Sequence, residues 1–183
     1  MKYTTDIPEA KVTDTFLQVN FPADVWPRIS YSTLTAGPRQ IVFDSIHGLT
    51  RNRARLYQQG RAADPWCLVC PRVVPLQPAT SDPEHLYCSC VLVRAAWLYV
   101  RSLVYRHQPE LQGAEDRLLV RFMFPRGNND QEVVWLLATY MEMVQEQCAA
   151  RGSKVLPLAV RGRLRERLRG TQARAVEQLL IML

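Results

Sequence analysis

The feature that most constrains this chain is a run of thiols and one imidazole near its middle. It reads Cys67-Leu-Val-Cys70, fourteen further residues, then His85-Leu-Tyr-Cys88-Ser-Cys90. Four of the five cysteines and one of the three histidines fall within 24 residues. Two thiols separated by two residues on a tight turn can share one tetrahedral ion, with an imidazole and a further thiol completing the set. Pro65 ahead of the first pair and Pro71 just after it favour such a turn. Cys67, Cys70, His85 and Cys90 give C-x2-C-x14-H-x4-C, whose two ends match the spacing of retroviral zinc knuckles while the middle is longer. Cys88 as fourth ligand gives the tighter H-x2-C bite and stays open as the alternative; Cys90 is preferred. A helix following Cys90 is expected to lower that thiol's pKa through its N-terminal dipole. The competing readings are unligated thiols buried as small hydrophobes, and a redox pair. The redox reading lacks the βαβ setting it normally requires. Four protein ligands leave no open position, so the expected ion is a structural Zn²⁺ with no catalytic role.

Around this cluster the pattern is helical. The 183 residues are 48% hydrophobic and 22% charged, an ordinary globular balance. An irregular, proline-punctuated lead-in is expected over 1–38, a metal-binding region over 39–110, and a helical region with a basic end over 111–183. Thr50 and Gly60 are placed as caps of a helix over 51–59. Val93, Trp97, Val100 and Val104 predict a helix over 91–106 with one buried stripe. RLLVRFMF, 117–124, reads as a short strand or a helix start. Val134, Leu137, Met141, Val144 and Cys148 alternate spacings of three and four, the seam of a helix over 131–149 that packs on another. Leu136, Tyr140 and Met143 add a second stripe, so this helix is expected to be central. A last helix is expected over 161–182, broken near Gly170. The predicted class is mostly α, a small helical domain organised around a CCHC zinc-binding loop.

Net charge is +6, but it is unevenly placed. Residues 110–150 carry −4 (three basic, seven acidic) and 151–183 carry +6 (eight basic, two acidic). The basic end, RGRLRERLRGTQAR, sets Arg161 and Arg165 on one helical face, Arg163 and Arg167 on another, with Arg169 following. Exposed arginines at that density suit phosphate; the plainer reading is a solvated amphipathic helix. Arg51, Arg53 and Arg55 are a second basic group. Trp66 and Tyr87 flank the metal residues and are candidates for stacking on unpaired bases, or for roofing the metal or the core. Trp97, Trp135 and Tyr140 are expected in the core, and His47 and His107 carry no assigned role. No run approaches 18 apolar residues, so no membrane helix is expected. MKYTTDIPEAK lacks the apolar stretch of a secretory signal. An intracellular setting, nuclear in preference to cytoplasmic, is the expectation.

IHGLTRNRARLYQQGRAADPWCLVCP followed by PEHLYCSCVLVRAAW resembles the zinc-binding region that follows the polymerase in LINE-type non-LTR retrotransposon reverse transcriptases. The matching residues are Arg51 to Arg55, Cys67 and Cys70, Glu84-His85-Leu86, Cys90 and Trp97, spanning roughly 45–100. Ala96 stands where the family usually has Ile or Val before the tryptophan. The resemblance implies an accessory module that grips nucleic acid, RNA or DNA, beside a polymerase body. The chain has no Tyr/Phe-x-Asp-Asp motif to hold catalytic Mg²⁺. The acidic cluster of a restriction-like nuclease is also missing: Asp130 and Glu132 read as helix-start acids. The expected protein is therefore a non-catalytic, zinc-containing nucleic-acid-binding module. The rival expectation is a helical interaction module that docks a partner helix or polymerase body through 131–149.

Overall fold

The computed structural model describes residues 34–70, 79–125, 127–149 and 155–169. The lead-in over 1–33, Gly152 (which the sequence offers as the cap ending the 131–149 helix), the break at Gly170 and the C-terminal residues lie outside them, as do the side chains of Cys148 and Arg169. Helices α1 (Ala36–Ile46) and α2 (Arg53–Gln58) precede the cysteines, and α3 (Arg94–His107) follows them. A short helix α4 (Asp116–Val120), the long α5 (Asp130–Val144) and α6 (Pro157–Arg169) complete the order. No strand is present among the described residues; one antiparallel bridge joins Trp66 and Thr80.

The centre is α5. Eleven of its fifteen residues are buried, with Glu142 one of the few that are not. A helix apolar on nearly all sides is stable only when enclosed, and α1, α3 and α6 pack against it. Its expected seam is therefore covered within the chain. This corrects the idea that 131–149 offers a free docking face: Val134, Leu137, Met141 and Val144 are already occupied by the chain's own helices. Asp130 and Glu132 sit in its first turn, as helix-start acids should. Asn129 does not cap through its side chain; it donates to the His107 carbonyl at 2.5 Å and joins α5 to the end of α3.

Helix α3 buries the stripe read from the sequence, with Val93, Trp97, Val100 and Val104 all at 1% exposure or less. The Trp97 and Tyr140 rings lie 5.8 Å apart at a tilt, so α3 and α5 meet through an aromatic pair. Trp135 is buried as well. Residues 117–124 settle as α4 after its first residue and a turn, with no strand. Phe122 takes a left-handed φ of 58°, and both Phe122 and Phe124 turn into the core. The Ser45 hydroxyl donates to the Val120 carbonyl at 2.5 Å and fastens α1 to that turn.

Two helices precede the cysteines where one was expected over 51–59, and α1 starts at Ala36, inside the stretch expected to be irregular lead-in. The cap of α2 is Asn52 in place of Thr50: its Oδ1 accepts from the Arg55 N–H at 2.9 Å. Gly60 lies just beyond the last cap with φ 68°, a conformation that only glycine adopts cheaply.

Candidate metal centre

Each arm of the cluster is built by a different local device. Asp64 and the bridge hold the first arm. Cys67 N–H donates to Ala79 O and Ser81 N–H to Pro65 O, both at 2.9 Å. The Asp64 carboxylate accepts from the Trp66 N–H at 3.0 Å and takes two hydrogen bonds from Arg53 at 3.0 and 3.1 Å. The Arg53 guanidinium holds this carboxyl below its ordinary range. Helix α2 is thus pinned to the cysteine turn through one acid.

The second arm is a π-helical turn, His85–Ser89. Cys90 N–H reaches five residues back to His85 O at 2.8 Å. That wider winding keeps His85 and Cys90 on the same side, while Cys88 falls on another and is buried away from the cluster. The H-x4-C spacing is therefore a consequence of the turn type. Asp82 caps the entry, accepting from the His85 N–H at 2.7 Å.

Together the arms bring the ligand atoms of Cys67, Cys70, His85 and Cys90 within 4.8 Å of one another. Cys67 Sγ and Cys70 Sγ each lie 3.9 Å from Cys90 Sγ, and Cys70 Sγ lies 3.3 Å from His85 Nε2. Two sulfurs at 2.3 Å from a tetrahedral ion stand about 3.8 Å apart, and a sulfur and an imidazole nitrogen about 3.5 Å. The cluster could thus hold a metal ion of zinc's size with little rearrangement. All four residues are screened from solvent, at 8%, 5%, 7% and 5% exposure in chain order.

His85 Nδ1 lies 3.1 Å from the Ser89 hydroxyl, four residues on, which orients the ring and leaves Nε2 facing the sulfurs. Ser89 and Asp82 were missed in the sequence. A hydroxyl four residues after a ligand histidine within a helical turn is the signal that would have found Ser89.

The thiols hold their protons unequally. Cys67 is held below the ordinary thiol range, chiefly by its hydrogen bond with Cys90, and also by His85 and the Cys70 and Val69 amides. Cys90 is pushed up because its proton is held in that hydrogen bond, and burial adds to this. Burial likewise pushes Cys70 up, against the Val91 amide. The expected dipole effect on Cys90 is not what operates. Helix α3 begins only at Arg94, and the group favouring the Cys90 thiolate is the Leu92 amide. Burial also pushes Cys88 up, as for an inert core thiol.

The candidate nucleic-acid residues divide. Arg51 is exposed and Arg55 half-exposed, whereas Arg53 is tied to Asp64. Arg163 pairs with Glu146 at 2.8 Å, and Arg167 pairs with Glu142, so both fasten α6 to the chain's acidic stretch. Arg161 and Arg165 lie on α6, half-buried and exposed. Trp66 is 41% exposed. Tyr87 has no exposed face for a base. It is wholly buried, its hydroxyl accepts from Gln145 Nε2 at 2.7 Å, and burial raises its pKa to about 12. Among the described residues no helix is long and apolar enough to cross a membrane.

No protein-family model, curated protein or solved structure matches the chain.

Proposed function

We propose that this chain is a non-catalytic helical module, folded around one structural Zn²⁺, that binds nucleic acid. The observation that carries the metal half is the buried Cys67, Cys70, His85 and Cys90 tetrad, with His85 already oriented by Ser89. Three thiols and an imidazole suit zinc, and four protein ligands leave no position for a reacting water, so the ion supports the fold. The nucleic-acid half is supported by arginine chemistry and by the resemblance to the zinc-binding region of non-LTR reverse transcriptases. Arg51 and Arg55 stand on the α2 side of the metal turn, and Trp66, beside Cys67, presents an aromatic face to solvent. Phosphate contacts would then supply most of the affinity, with stacking on Trp66 as a secondary grip.

Two measurements test this reading. Elemental analysis of purified protein is expected to give about one zinc per chain, lost in Cys67→Ser. A folded, metal-free wild type would overturn the metal half. Filter binding of single-stranded RNA and DNA is expected to weaken steeply between low and moderate salt, as phosphate neutralisation requires. Absence of binding at low salt would overturn the nucleic-acid half.

A further inference from the structure

Ahead of the metal turn lies a half-open concavity of about 200 Å³. Its polar wall is Arg51, Asn52, Arg55, Gln59 and Arg61, and it contains no acid. Three arginines line it, from three pieces of chain. Arg51 comes from the loop before α2 and Arg55 from the helix. Arg61 comes from the turn that leaves it.

Backbone geometry sets this arrangement. At the end of α2, Gly60 N–H donates to Tyr57 O at 2.9 Å and Arg61 N–H to Leu56 O at 2.8 Å. This is the paired C-terminal closure that a left-handed glycine permits, and it returns Arg61 toward the helix. At the other end Asn52 is fixed through both ends of its amide, accepting from the Arg55 N–H and donating to Thr50 O at 3.0 Å. The pocket is thus framed by both caps of one short helix.

The charges in it are not needed by the fold. Arg51 and Arg61 have no ion-pair partner among the described residues, and Arg55 spends one N–H on Gly48 O at 3.2 Å. The nearby acids are committed elsewhere, Asp64 to Arg53 and Asp44 to Gln40. Three like charges in one concavity repel one another unless an anion joins them. Guanidinium forks match phosphate oxygens, two N–H groups to two oxygens.

We propose that Arg51, Arg55 and Arg61 form a binding site for a phosphate monoester. A terminal group, which presents three free oxygens, can engage more of these three arginines than an internal diester, which presents two and continues in both directions. Leu49 and Leu56 complete the lining and offer an apolar wall to the carbon attached to the phosphate. The monoester can be the phosphorylated end of a strand or a free mononucleotide. Only the strand-end source rests on the nucleic-acid reading above.

The test uses the full chain, metal-loaded, and isothermal titration with four probes. These are inorganic phosphate, adenosine 5′-monophosphate, and one short single-stranded oligonucleotide with and without a terminal phosphate. Phosphorylated oligonucleotide is expected to bind about tenfold tighter than its hydroxyl-ended twin, the effect of one charged hydrogen-bonded contact. Arg61→Gln, at an exposed position, should abolish that difference, while Arg106→Gln on exposed α3 surface keeps it. Equal binding of the two oligonucleotides, unaffected by Arg61→Gln, would overturn the pocket and leave the nucleic-acid reading standing. Binding of the small phosphates that Arg61→Gln removes, with no oligonucleotide binding, would sustain the pocket and overturn that reading. Silence from every phosphate probe would sink the pocket outright, provided Arg55→Lys and the parent melt alike.

Discussion

The Tyr140 hydroxyl donates a 2.5 Å hydrogen bond to the carbonyl of Tyr87, 53 residues earlier in the chain. One partner sits in the middle of the central helix. The other sits in the π-turn between His85 and Cys90. Together with Gln145, which follows the last residue of α5 and donates to the Tyr87 hydroxyl, this gives α5 and the turn that continues it two grips on a single residue between His85 and Cys90. The ligand geometry is therefore fixed by the helical core as well as by its own turns.

Tyr140→Phe should act on both stability and metal retention. The substitution keeps the ring against Trp97 but leaves a buried carbonyl without its partner, at about 1–3 kcal/mol. The expected result is a lower melting temperature together with faster zinc loss to a chelator. A variant that melts lower yet holds zinc like the parent would separate the two elements that this hydrogen bond is said to join.

The two candidate fourth ligands make opposite predictions. Cys88→Ser should keep the metal, since Cys88 lies outside the tetrad, whereas Cys90→Ser should lose it. Ser89→Ala should weaken zinc binding by about tenfold, because His85 loses the group that orients it. Competition against a chromophoric chelator reads all three, and zinc loss from Cys88→Ser alone would reverse the ligand assignment.

Much of this was legible in the sequence, for physical reasons that can be named. The ligands were readable because metal chemistry restricts residue type and spacing together. Helices α3 and α5 were readable because their apolar periods run over three turns or more. The α2 cap was misplaced, since Thr50 and Asn52 are both capping residues and only the entry path of the chain selects between them. Tyr87 could be read either as stacking on a base or as roofing the metal or the core; the contacts that bury it, with Tyr140 and Gln145, are ones no local pattern reveals. The basic end could be read as a phosphate grip or as a solvated amphipathic helix. That Arg163 and Arg167 are taken by Glu146 and Glu142 depends on α6 folding back along α5, a tertiary fact.

Metal binding should release protons. Cys67 is held below the ordinary thiol range, while Cys70 and Cys90 are both raised and keep their protons to higher pH. Zinc requires all three ionised, so its binding displaces protons and apparent affinity rises with pH near neutrality. Titration calorimetry in buffers of different ionisation enthalpy counts them directly. A count near zero would contradict the proton distribution described for the tetrad.

The Arg167–Glu142 pair should matter more than a surface ion pair, because its side chains are only 23% and 14% exposed. Arg167→Ala is expected to cost about 1–3 kcal/mol by leaving Glu142 without its cation. Burial already raises the Glu142 pKa and Arg167 opposes that rise, so in the variant it climbs further. A carboxyl whose folded pKa exceeds its unfolded value loses stability as pH rises through the folded value. The deficit relative to the parent should therefore be larger at pH 8 than at pH 5, and Glu142→Gln in the same background should recover part of it. Urea midpoints at the two pH values check this, and a deficit independent of pH would mean that packing, and not charge, accounts for the loss.

Enclosure of α5 has one more consequence. Its backbone amides can reach solvent only when α1, α3, α6 and the metal loop come away together, since all of them lie against it. Deuterium uptake there would report global unfolding, whereas α2 and its arginine pocket, which bury no residue of their own helix, can open alone. The chain thus carries a slow-exchanging centre beside a fast-exchanging rim. A ligand held only by the rim would slow exchange locally, and metal removal would speed it everywhere.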